Sequence, residues 1–199
     1  MAPMIVDPER VREFIHADAF HDWLERHHDR EPEVWIRMFK AKSGTASISW
    51  KAAIPVALAW GWIDGVRKSL DEISFLQRFT PRGPKSSWSE INVEHAERLI
   101  AEGAMQPSGL KHVEAAKADG RWEKTYRVKG AEVPDDLRAA IEAEPKAAAL
   151  FAVLTSQNRF ALIHRTNALK TEAGRKKKIA DLVAMLARGE TPYPQGKTA

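Results

Sequence analysis

From Asp135 to Gly189 the chain reads as one helical segment after another, whereas upstream of Arg121 short runs of strand formers alternate with helical stripes. That change of period restricts the fold more than any other feature, because a helix stripe and a strand face need different partners to bury them. The helical part divides into Asp135 to Ala143, Pro145 to Leu154, Ser156 to Leu169 and Thr171 to Arg188. In the last of these, Ile179, Leu182, Val183 and Leu186 fall at i, i+3, i+4 and i+7, one apolar face that another element must cover.

Upstream, Val11, Phe14, Ile15, Phe20, Trp23 and Leu24 predict one or two helices between Pro8 and His28, opened by Asp7 as N-cap. Val34, Trp35, Ile36, Met38 and Phe39 form a short run of strand formers. Ser49 caps a helix from Trp50 to about Trp60, with Pro55 as the point where it must kink. Trp62 to Lys68 and Ile73 to Thr80 predict a β-hairpin around Ser69 to Glu72, with Ile73, Phe75, Gln77 and Phe79 on the core face. Ser87-Trp88-Ser89-Glu90 fits a capping box opening a helix that Gly103 ends, and a further helix, Ser108 to Ala118, closes at Gly120. The expectation is therefore an α+β fold: a small antiparallel sheet packed by helices over 1–130, an all-helical module over 131–190, and a flexible tail over 191–199.

A core is available to such a fold, since 44% of the 199 residues are hydrophobic and only 29% charged. The absence of cysteine removes disulfides, thiolate metal sites and cysteine nucleophiles together. The start MAPMIVDPERVREF lacks the basic and apolar blocks of an export signal. The longest apolar run, Ala52 to Trp62, is about half of the roughly 20 residues a membrane span needs. A cytoplasmic chain with no membrane span is expected.

For chemistry, the most suggestive segment carries Arg78, Arg82 and Lys85 into the helix expected to begin near Ser87 and Trp88. Cations at a helix N-terminus suit a phosphate or carboxylate. Asp64 on the neighbouring strand can orient an arginine, and Trp60, Trp62 and Trp88 can supply stacking walls. The expected ligand-binding set is Asp64, Arg78, Arg82, Lys85, Ser87 and Trp88, for an anionic small molecule or an acidic protein partner. The histidines show no HExxH spacing, and neither a GxSxG elbow nor a phosphate-loop or dinucleotide glycine pattern occurs. No catalytic residue, cofactor or metal is therefore assigned, and the reading leans away from an enzyme; the alternative is an enzyme on phosphorylated or carboxylated metabolites with Asp64 as its acid–base group. The run Arg175-Lys176-Lys177-Lys178 opens the last helix, where positive charge opposes the macrodipole, and leaves weak nucleic-acid binding as a third reading.

Trp60-Gly61-Trp62-Ile63-Asp64, Gln77-Arg78-Phe79-Thr80-Pro81-Arg82, Pro84-Lys85-Ser86 and Trp88-Ser89-Glu90-Ile91-Asn92 resemble the bacterial YdeI/OmpD-associated family, also labelled bacteriocin-protection proteins. The resemblance continues through Glu97-Arg98-Leu99-Ile100 and Ala115-Ala116-Lys117-Ala118-Asp119-Gly120-Arg121-Trp122 into the C-terminal helices, so it spans nearly the whole chain. It implies an α+β part, a small helical module, and an association with resistance to antimicrobial peptides or bacteriocins and with an outer-membrane porin; the expected role is that of a bacterial stress or resistance protein. It implies no reaction or cofactor.

Overall fold

The computed structural model describes residues 5–126 and 130–196. The chain divides into two units, 1–125 and 126–199.

The first unit is an α+β structure. Asp7 accepts from Glu9 N, as an N-cap should, but the turn it opens is a single 3-10 turn, Pro8–Arg10. Val11–Arg12 then forms β1, and the helix α1 begins only at Ala17 and ends at His27. The expected helix from Pro8 is thus replaced by a strand, because β2 (Val34–Phe39) offers its edge to Val11 and Arg12. That pairing is parallel, so the sheet is mixed and not all antiparallel.

Ser49 caps α2 (Trp50–Ala59) by accepting from Ala52 N, and the helix runs through Pro55. The hairpin follows as β3 (Trp62–Ser69) and β4 (Ser74–Pro81), giving a sheet of order β1-β2-β4-β3 with β3 at its edge. Asp71 makes the turn by accepting from Ile73 N, Ser74 N and Ser74 Oγ. Val34, Ile36, Met38 and Phe79 point into the helix-covered core with Phe20 and Leu24 of α1, and Ala53 and Ala57 of α2. Gln77 shares that face and is buried, while Ile73 falls in the turn and is exposed.

Two helices complete the unit, α3 (Glu90–Ala101) and α4 (Pro107–Ala118). The cap of α3 is Ser89, two residues beyond Ser87, which accepts from Asn92 N, and the helix starts at Glu90. Gly103 and Gly120 end these helices with φ of 69° and 74°, a conformation glycine adopts without a Cβ penalty. The start of α4 presses on the end of α2: Gln106 N donates to Ala59 O at 3.0 Å, and Gly109 leaves room for the Leu58 and Ala59 carbonyls.

The elements described in the second unit are helices: α5 (Asp135–Glu142), α6 (Pro145–Ala152), α7 (Ser156–Asn167) and α8 (Glu172–Ala187). Ile179, Leu182 and Leu186 of α8 are buried with Leu137, Ile141, Leu150 and Leu162, which supplies the cover its apolar face requires. Residues 191–196 carry more anchors than their composition suggests. The buried Asn158 of α7 donates to Tyr193 O and Gln195 Oε1 and accepts from Tyr193 N.

Candidate functional site

The alternation of β4 decides which expected site residues can meet. Phe79 is paired with Asp64 and Arg78 with Trp35, so Arg78 leaves the sheet on the face opposite Asp64. There its Nε donates to Glu33 Oε2 at 2.6 Å. Arg78 is therefore committed to Glu33 and separated by the sheet from Asp64, with which it was expected to converge.

Arg82 turns inward. It is 3% exposed, its guanidinium carbon lies 3.8 Å from the centre of the Trp88 ring, and Nη1 donates to Ser87 O at 3.0 Å. Arg121 holds the same loop from the far end of α4, with Nη1 on Ser86 O at 2.8 Å. Both cations thus shape the 82–88 loop. Trp88 is buried against Trp122, and Trp60 and Trp62 are buried as well, so the expected stacking walls are core. Lys85 and Ser87 are exposed, and Ser87 lies ahead of the α3 N-terminus. The structure brings Asp64, Arg82, Ser87 and Trp88 into one neighbourhood and leaves Arg78 outside it.

Asp64 has a different set of companions. Its Oδ2 accepts from Trp50 Nε1 at 3.1 Å, and Trp50, the first residue of α2, is 38% exposed. Between Asp64 and Arg67 the strand bulges: Asp64 pairs with Phe79, but Arg67 pairs with Gln77, so three steps along β3 match two along β4. In a regular strand residues three apart face opposite ways; the bulge puts Arg67 on the face of Asp64. Gln77 fixes this geometry from below. Its Nε2 donates to Gly65 O inside the bulge at 2.9 Å, and its Oε1 accepts from Arg67 Nε at 3.4 Å. The Arg67 guanidinium lies 4.2 Å over the Phe75 ring and 5.9 Å from that of Trp50.

Arg67 is exposed and makes no ion pair with a described residue, so its two outer nitrogens are oriented but uncommitted. A guanidinium held on an aromatic face in this way is prepared for bidentate recognition of a carboxylate or phosphate. Burial pushes the Asp64 carboxyl above the usual aspartate value, opposed by the Trp50 hydrogen bond and the charges of Arg82 and Arg67. The same cationic field reaches His112 of α4, whose ring lies against Gly61: burial, Arg82, Lys111 and Arg121 all depress its pKa and favour the neutral ring. Sequence reasoning missed Arg67, Trp50 and Gln77, because strict alternation assigns Arg67 to the other face. A glycine within a strand, Gly65, was the available signal for a bulge.

In the second unit, Arg175, near the start of α8, ties the start of α5 to the end of α7: it makes two bonds to Asp136, at 2.6 and 2.9 Å, and one to Thr166 O. Lys176 pairs with Glu172. Half of the basic run is thereby committed within the unit, which explains cations at a helix start that the macrodipole disfavours. An apolar groove of about 960 Å³ runs along α8, floored by Ala140, Ile179, Ala180, Val183 and Ala184. Among the described residues no three of His, Asp and Glu are grouped as a metal ion requires, and no helix is long and apolar enough to cross a membrane.

Residues 12–112 match the family model described as a domain of unknown function, DUF8412, and residues 130–189 match the one described as bacteriocin-protection, YdeI or OmpD-associated. No curated protein and no solved structure matches the chain.

Proposed function

We propose that this chain, which belongs to the DUF8412 family through residues 12–112 and to the bacteriocin-protection, YdeI or OmpD-associated family through residues 130–189, is a non-catalytic binding protein for an anionic ligand. The ligand is a small organic anion or an acidic segment of a partner, held where Asp64, Arg67 and Trp50 meet. The observation that carries the reading is the bulge, which spends one residue of β3 to set an uncommitted, aromatic-held guanidinium beside a half-buried acid. Arg82, Ser87 and Trp88 back this site and Lys85 lies exposed on the adjoining loop. Arg78 is no part of it. A role in bacterial stress or bacteriocin resistance belongs to the same proposal, with the bound anion as its signal.

Native mass spectrometry of the purified chain tests the reading: a retained anion that Arg67→Ala loses and Arg78→Ala keeps supports it, and retention by both variants refutes the site. A second reading is supported by the raised Asp64 pKa, which suits a general acid. An enzyme on carboxylated or phosphorylated metabolites loses turnover in Asp64→Asn while still binding its substrate, whereas a binder shows no turnover in either form.

A further inference from the structure

We infer that the ligand of this face is a monoanionic organic acid, a carboxylate or sulfonate, which Asp64 selects by donating its own carboxyl proton to one ligand oxygen while Arg67 donates to the same group. The inference rests on the anion-binding reading above and narrows it. Its basis is the number and reach of the charges. Arg82 is buried, stacked on Trp88 and donating to Ser87 O, so it acts on Asp64 from behind and offers no accessible fork to a ligand. Arg67 is the exposed cation of the pair. One of the Asp64 oxygens is occupied by Trp50 Nε1, and the other makes no hydrogen bond to another of the described residues.

An anion seated on Arg67 therefore shares one strand face, and the Trp50 indole, with the Asp64 carboxyl. Two like charges sharing a site raise the pKa of one of them, and burial already acts on Asp64 in that direction. The charged or titratable groups acting on Asp64 are Arg67 on its own strand and Arg82 on the loop after β4; from α2 it meets only the neutral indole of Trp50. With Asp64 protonated, one proton bridges two acids and one guanidinium balances the single remaining charge, an arrangement a dianionic phosphate does not match. The exposed indole of Trp50 and the half-buried Phe75 ring offer apolar surface to the organic part. Because binding and protonation are linked, each must favour the other.

Benzenesulfonate is a suitable probe, since its charge is fixed across the range and any pH dependence belongs to the protein. Calorimetric titration of the full chain with benzenesulfonate at about pH 5 and about pH 8 should give affinity at least about tenfold tighter in acid, and inorganic phosphate, mainly a dianion at the higher pH, should bind there no more tightly than benzenesulfonate. Asp64→Asn, whose amide donates at any pH, should bind with a flat profile. Equal benzenesulfonate affinity at both pH values, or a pH dependence that persists in Asp64→Asn, overturns the proton-sharing inference and leaves the anion reading standing. Failure of both probes to bind at either pH overturns both.

Discussion

Replacing Gly109 by alanine puts helix propensity against packing, and the distances decide between them. Alanine is favoured over glycine inside a helix by about 1 kcal/mol, so propensity alone expects Gly109→Ala to stabilise α4. A Cβ at this position, however, would lie 2.2 Å from Ala59 O, 2.7 Å from Leu58 O and 2.7 Å from Met105 Sδ. The two oxygens are backbone at the end of α2 and cannot rotate away. The helix must retreat by more than an ångström, which strains the Gln106–Ala59 hydrogen bond and loosens the buried Val113 and Ala116. Overpacking of this kind costs about 1–3 kcal/mol and a weakened hydrogen bond about 1 kcal/mol more. After the propensity gain, the net loss should be about 1–3 kcal/mol. Urea unfolding followed by tryptophan fluorescence reads it cleanly, because all seven tryptophans, Trp23 to Trp122, belong to the first unit. The midpoint should fall with the slope unchanged. Because Ala59 and Gly61 lead directly into Trp62 and Asp64, ligand retention should weaken in the same variant. A midpoint equal to or above the parent's refutes the argument that glycine is required by the helix contact.

Three further outcomes follow from the charges. Arg78→Ala should lower the fluorescence-detected stability by about 1 kcal/mol, since it leaves Glu33 without its 2.6 Å partner, and a change above about 3 kcal/mol would show a deeper role. Asp64 has its pKa raised on folding, so its stabilising contribution is full below the unfolded value and is lost as pH rises through the folded one. Asp64→Asn should therefore be at least as stable as the parent at neutral pH, with the difference closing in acid; a variant less stable at neutral pH contradicts this. Asp136 has the opposite sign: Arg175 holds its carboxyl below the usual value, so its contribution is present at neutral pH and is lost as pH falls through that lowered pKa. Asp136→Asn should lower the melting temperature of the helical unit at neutral pH, read by circular dichroism, and match the parent in strong acid.

Much of the fold was legible because its signals are local. Ser49, Gly103, Gly120 and Gly189 mark helix ends by side-chain caps or by positive φ, and each stands where its helix begins or stops. The failures are non-local. Val11 belongs to a helical stripe, yet with Arg12 it becomes a strand because β2, more than twenty residues on, has an open edge. Ser87 and Glu90 satisfy the capping-box spacing, yet Ser89 is the cap, since Arg82 and Arg121 hold the Ser87 and Ser86 carbonyls and keep that stretch extended.

The same physics explains why the basic stretches of the sequence are a poor guide to the site. Arg78 is spent on Glu33, Arg82 on Ser87 O, Arg121 on Ser86 O and Asp119, and Arg175 on Asp136 and Thr166 O. Two of these four use backbone carbonyls of one loop, acceptors that every residue carries and no pattern of side chains reveals. A cluster of arginines near a proline-rich loop is thus as readily a means of fixing that loop as of holding a ligand. Arg67 differs because its neighbours are aromatic rings and an amide that orient the guanidinium without neutralising it. An arginine stabilised by π faces keeps its charge available, whereas one stabilised by a carboxylate does not. The functional candidate is therefore a cation with no acid partner among the described residues, which a bulge of one residue has moved to the face where an acid already stands.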